Sequence, residues 1–140
     1  MGVALDPITD ELVEQTRDWY RMAKERDPEF VERIDPEVDW YVPDTFAGGG
    51  HLHGPWAVLT FMDSVGALWD GVHAEPEEVL PSADALVVVG TWRGTVRATG
   101  MLVEVPFAHV LRFRDGRVVY FRNYIDTAKI LQAIDEAPSG

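Results

Sequence analysis

The chain contains no cysteine, which excludes disulfides, thiolate metal sites and thiol nucleophiles at once. Cations are scarce: 12 Lys and Arg stand against 24 Asp and Glu, for a formal charge of −12. Nucleic-acid binding needs clustered cations facing phosphate and is not expected. No stretch approaches the roughly 20 apolar residues of a membrane span, and no apolar run with a basic flank opens the chain. A membrane partner is therefore not expected, and the cytoplasm is the default location. Internal repeats and low-complexity runs are missing too. What remains is an acidic chain of 140 residues, read as a single domain over 1–140 with enough apolar material for its own core.

Its punctuation predicts helices first and strands later. Residues 1–8 read as a mobile lead-in, and Thr9-Asp10-Glu11-Leu12 as a helix start with Thr9 as cap. Leu12, Thr16, Trp19, Tyr20 and Ala23 recur at helical spacing. Asp27-Pro28 breaks that helix and begins a short second one through Phe30, Val31 and Ile34. Val38 to Val42 reads as a strand stopped by Pro43. Residues 44–54 read as a glycine-rich loop in which Gly48, Gly49 and Gly50 suit a lid. Pro55 then opens a helix whose apolar positions are Trp56, Leu59, Phe61, Met62, Val65 and Trp69. Strands follow over 72–80, 85–92, 97–113 and 117–125, and Asp126 caps a last helix through Ile134. The tail 137–140 reads as disordered. Helices followed by antiparallel strands point to an α+β fold.

The segment 103–128 carries the most information. Two strands meet at the turn Arg114-Asp115-Gly116-Arg117. On the first, Val105, Phe107, His109 and Leu111 share one face, while Val110, Arg112 and Arg114 share the other. On the second, Val119, Phe121 and Asn123 alternate with Tyr120 and Arg122. If the arginines turn outward, His109 and Asn123 both face inward, and polar groups converging in an apolar cavity mark a small-molecule site. His109 is the candidate acid or base, and Asn123 can orient a water or a carbonyl.

Tyr20 can add a hydroxyl to that cavity, and Trp92 and Phe107 can shape it. On the first strand Asp39 and Tyr41 share one face, Trp40 and Val42 the other; alternation does not decide which pair looks inward. Asp39 is thus a reserve general base, and Trp40 and Tyr41 are candidate substrate contacts, as are Trp56 and His53. The pair His51 and His53 has metal-like spacing but no third ligand nearby, so no metal is expected. Asp126 is a cap, not a catalyst.

Several segments together resemble the SnoaL-like group of the NTF2/ketosteroid-isomerase superfamily. They are the helix ending in Trp19-Tyr20, the strand 38–43, the segment 46–55, Gly90-Thr-Trp-Arg-Gly94, and the hairpin closing in Tyr124-Ile-Asp-Thr-Ala128. The resemblance implies a cone: a curved antiparallel or mixed sheet wrapped around three N-terminal helices, with a short C-terminal helix. It implies a hydrophobic small-molecule ligand, a homodimer through the outer sheet face (Val110, Arg112, Arg122), and no cofactor. The implied activity is cyclase, isomerase or epoxide-opening chemistry, and the alternative is a non-catalytic binding module. Four positions depart from the family's catalytic patterns. The position like the cyclase and hydrolase Asp holds Asn123, the position before the strand-ending proline holds Val42, and the positions like a central Arg and Asp hold Gly90 and Trp92.

Overall fold

A computed structural model describes residues 4–135; the tail 137–140 lies outside the described residues. The order is α1 (Asp10–Glu25), α2 (Glu29–Glu32), β1 (Ile34–Val42), β2 (Gly50–His53), α3 (Pro55–Leu68), β3 (Trp69–Pro81), β4 (Leu86–Val96), β5 (Leu102–Arg114), β6 (Arg117–Ile125) and α4 (Thr127–Asp135). The strands form one mixed sheet, ordered β2-β1-β6-β5-β4-β3. Every neighbouring pair is antiparallel except β1 and β6, which run parallel. This is the α+β cone that the sequence predicts.

Local chemistry accounts for the elements. The Thr9 hydroxyl accepts from Leu12 N at 3.2 Å, and Asp10 and Glu11 lie in the first turn, where the helix dipole favours acids. Asp115 (φ 52°) and Gly116 (φ 78°) both occupy the left-handed region, as a two-residue hairpin turn requires. Along β4 burial alternates without a break from Leu86 to Val96, so one face meets the helices. At Gly90 any Cβ would overlap the backbone carbonyl of Glu75 on β3. β3 slips register there, between Pro76 and Glu78, so this approach of two strands requires glycine.

The core is aromatic at its centre. Trp40 stacks on Phe121 at 3.8 Å, Trp19 stacks on Phe30 at 4.7 Å, and the Trp19 indole donates to the Phe30 carbonyl at 3.0 Å. Deeply buried Asp35 is held by Arg114 from the far hairpin, with Nε on Oδ2 at 3.0 Å and Nη2 on Oδ1 at 2.7 Å. Burial pushes that carboxyl up, but the bonds from Arg114 and the Glu37 amide outweigh it and leave it below its ordinary value.

Several boundaries differ from the sequence reading. The lead-in is pinned from Asp6 onward: Asp6 N donates to the Phe113 carbonyl at 2.8 Å, and the Asp6 carboxylate accepts from Asp115 N and Gly116 N at 3.1 and 2.7 Å. β1 begins at Ile34, not Val38, because α2 stops at Glu32 and Pro36 sits inside the strand. β1 therefore carries three carboxylates, Asp35, Glu37 and Asp39. Residues 50–53 form strand β2, not loop, pairing Asp39 with His53 and Tyr41 with His51. On β6 the register shifts between Arg112 and Phe113, so Val118 takes the buried position expected of Val119. Trp56 is 82% exposed and does not belong to the apolar stripe of α3, whose buried residues are Val58 and Val65.

Candidate functional site

The β5–β6 pairing puts His109 directly across from Asn123, and the adjacent residues Phe107 and Leu111 are buried with it. The last turns of α1 lay Tyr20 over this face. Its hydroxyl meets His109 Nδ1 at 2.6 Å, with the two rings 5.8 Å apart and nearly parallel. One proton lies in that contact, and the tautomer decides which atom carries it. Phe107 and Phe121 close the imidazole in, at ring distances of 4.1 and 4.5 Å.

This enclosure sets the electrostatics. Burial holds the His109 imidazolium off, lowering the pKa to about 3, and the nearby Asn123 amide opposes the shift only in part. Burial likewise pushes the Tyr20 phenol well above its ordinary value. Both partners are neutral at physiological pH. Among the described residues, no carboxylate forms an ion pair or hydrogen bond with His109 to recharge it. Asn123 Oδ1 is buried and, among the described residues, finds no hydrogen-bond partner. The amide influences the ring but makes no hydrogen bond of normal geometry with it. An orphaned acceptor in an apolar enclosure costs free energy until something donates to it.

His109 and Tyr20 are both buried, and the rings of Phe107 and Phe121 pack against the imidazole. A small pocket near 10 Å³ lies between α1 and the Phe113–Val118 turn and could hold about one water. The aromatic side chains fill the cone around the dyad. Trp92 is buried edge-on against Trp69 at 5.0 Å, which is core packing.

The structure gathers some of the sequence candidates and separates others. His109, Asn123, Tyr20 and Phe107 meet on the inner face, with Trp40 buried on the same side through Phe121. Asp39 and Tyr41 lie on the half-exposed outer face of β1, which settles the parity of that strand. Asp39 is thus not positioned to act as a base for the interior, and Tyr41 does not line it. His53 is also outside, and Trp56 points to solvent. The outer residues make their own cluster. Asp39 Oδ1 lies 2.7 Å from His51 Nε2 and 3.0 Å from His53 Nδ1. The sequence reading missed this third group because it placed His51 and His53 in a loop. Hydrogen bonds from His53 and then His51 hold the Asp39 carboxyl below its ordinary value, and the bond to Asp39 raises His53 in return.

Among the described residues, no helix is long and apolar enough to cross a membrane. The SnoaL-like domain model matches residues 16–121. No curated protein matches the chain. An NTF2-like protein of unknown function from Burkholderia pseudomallei is 30% identical, with a TM-score of 0.81 over 89% of this chain and 97% of that one. TerC, co-crystallised with polyporic acid, is 24% identical, with a TM-score of 0.80 over 89% and 98%. A putative SnoaL-like polyketide cyclase from Jannaschia sp. CCS1 is 18% identical, with a TM-score of 0.79 over 98% and 100%. At these last two identities the likeness shows the fold alone.

Proposed function

The chain belongs to the SnoaL-like domain family, and on that premise we propose that it is a cofactor-independent enzyme for a hydrophobic, oxygenated small molecule. The reaction class is cyclisation or isomerisation, and the inner face of the cone is its site. The observation that carries this reading is the buried, unpartnered Asn123 Oδ1 beside the Tyr20–His109 pair. A ligand hydroxyl would donate to that oxygen, and the ligand carbonyl would face the neutral imidazole and phenol.

The electrostatics refine the role of His109. A group with a pKa near 3 holds almost no proton at neutral pH and is a feeble base there. A neutral imidazole can nevertheless polarise a carbonyl as a hydrogen-bond donor, and Tyr20 at its other nitrogen fixes which edge is presented. Negative charge developing on that carbonyl oxygen would then be met by a preorganised donor in a dry site. Phe107, Phe121 and Trp40 must shift to admit the ligand, so binding opens the packed interior.

The second reading is a non-catalytic binding module. It is favoured by the amide at Asn123 and by the lack, among the described residues, of a carboxylate paired with His109. The assembly proposed for either case is a homodimer through the outer sheet face. There Arg122 lies over Tyr41 and Tyr124 at 5.2 and 5.6 Å, and Tyr124 is 53% exposed. Sedimentation at tens of micromolar would give a monomer if that is wrong.

The functional test starts from polyporic acid and other hydroxylated polycyclic ketones as probes, read by thermal shift and by product formation. His109→Gln and Tyr20→Phe are expected to lower turnover by about 10²–10³-fold, the scale of losing one oxyanion donor. Asn123→Ala is expected to weaken binding by about 1–3 kcal/mol. Binding without turnover in the wild type would establish the binding module. Unchanged turnover in His109→Gln would remove the imidazole from the chemistry.

A further inference from the structure

The outer face of β1 and β2 offers a second constellation, unconnected with the interior. Asp39, His51 and His53 each present a ligand atom, and all three atoms lie within 4.8 Å of one another. Two paired strands supply them, so the backbone spacing is fixed by the sheet ladder and not by a loop. The side chains are 43%, 49% and 57% exposed, so an ion and its remaining waters can reach them. We propose that Asp39, His51 and His53 form a binding site for a divalent first-row transition ion of the zinc class.

The donor chemistry fits that class. Two imidazoles and one carboxylate suit zinc and its neighbours, and the hard ions magnesium and calcium prefer oxygen donors throughout. Zinc–nitrogen and zinc–oxygen bonds near 2.0–2.2 Å place ligand atoms roughly 3.3 Å apart around a tetrahedral ion. The oxygen–nitrogen distances are 2.7 and 3.0 Å. Opening them by a few tenths of an ångström needs only rotation of exposed side chains. What now joins the three groups is hydrogen bonding, and an ion would replace it.

Two further contacts support a site over a chance surface cluster. Glu37 Oε2 lies 3.3 Å from Nε2 of His53, on the far side of the ring from the Nδ1 that faces Asp39. That is the outer carboxylate that orients a metal-bound histidine and strengthens it as a ligand. Tyr41 stacks on His51 at 4.5 Å with only 8° between the planes, which holds the second ring in place. An ion here would tie the outermost strand β2 to β1 and stabilise the folded chain by mass action.

Isothermal titration of the protein with zinc chloride alone tests this. Saturable binding of one equivalent per chain is expected, with a rise in melting temperature. His51→Ala and Asp39→Asn should each weaken binding by more than the ~10–100-fold typical of an outer-shell loss. Glu37→Gln should fall within that range. His73→Ala, a histidine on β3, should bind as the wild type does. Cobalt(II) should give the intense visible bands of a four- or five-coordinate ion. Circular dichroism of each variant separates lost ligands from a lost fold. The proposal is overturned by no saturable binding at millimolar zinc, by equal binding in His51→Ala and the wild type, or by a cobalt spectrum identical to the free aquo ion.

Discussion

Histidine appears on both faces of the sheet, and the two faces treat it in opposite ways. Inside, His109 is sealed by Phe107, Phe121 and Tyr20, and it hydrogen-bonds a neutral phenol. Its pKa falls to about 3. Outside, His53 shares a carboxylate with His51 in open solvent, and its pKa rises. The same side chain is a neutral hydrogen-bonding group in one place and a cation in waiting in the other. The difference comes from desolvation against ion pairing, not from the residue. A histidine's role is thus set by which side of a strand it lands on.

Acid should break this contrast most strongly. An unfolded imidazole titrates near 6.5, whereas His109 stays neutral down to about pH 3. Between those values the unfolded chain binds the extra proton, so stability falls as pH drops through that window. From pH 7 to 4.5 the loss from this one group should be about 2–3 kcal/mol, measured by urea unfolding at each pH. His109→Leu should flatten that dependence, and an unchanged slope would mean that His109 is not the buried base.

Tyr20→Phe comes next. It leaves His109 Nδ1 buried without its partner, so it should cost about 1–3 kcal/mol in the same assay at pH 7. A neutral effect would mean that the 2.6 Å contact is not maintained in solution.

Asn123→Asp should bring the inner face toward the outer one. A carboxylate across from His109 favours the imidazolium, so the His109 pKa should climb, read by NMR titration of its ring protons. No movement would place the new carboxyl out of reach. Smallest of all, Asp39→Asn should return the His53 pKa toward its ordinary value and leave the melting temperature unchanged, since exposed pairs contribute little.

Much of the inner face was legible from sequence because strand parity is rigid. Phe107, His109 and Leu111 could only share a face; the Asp115-Gly116 turn alone would set Arg122 opposite His109, and the register shift between Arg112 and Phe113 brings Asn123 there instead. Tyr20 followed from helical spacing. The outer cluster was hidden for a different reason. Gly48-Gly49-Gly50 reads as a loop, and a strand as short as β2 has no periodicity of its own; it exists because the open edge of β1 pairs with it. Pro36 likewise concealed the early start of β1. Val119 misled because a bulge consumes one residue and turns Val118 inward instead. The closed interior was not foreseeable either, since composition does not say how tightly aromatics fill a cone.

The parallel pairing of β1 with β6 has a consequence for how the chain is made. Ile34 takes Val118 as its ladder partner, and Trp40 takes Phe121. Translation proceeds at ~5–20 residues per second, so β1 leaves the ribosome several seconds before its neighbour exists. Over that interval it can pair only with β2, and the apolar row Val38, Trp40 and Val42 waits without the Phe121 ring that later covers it. Non-local closure of this kind slows folding and leaves a strand edge open to other chains. A ribosome stalled before β6 would therefore present a sticky half-sheet to chaperones.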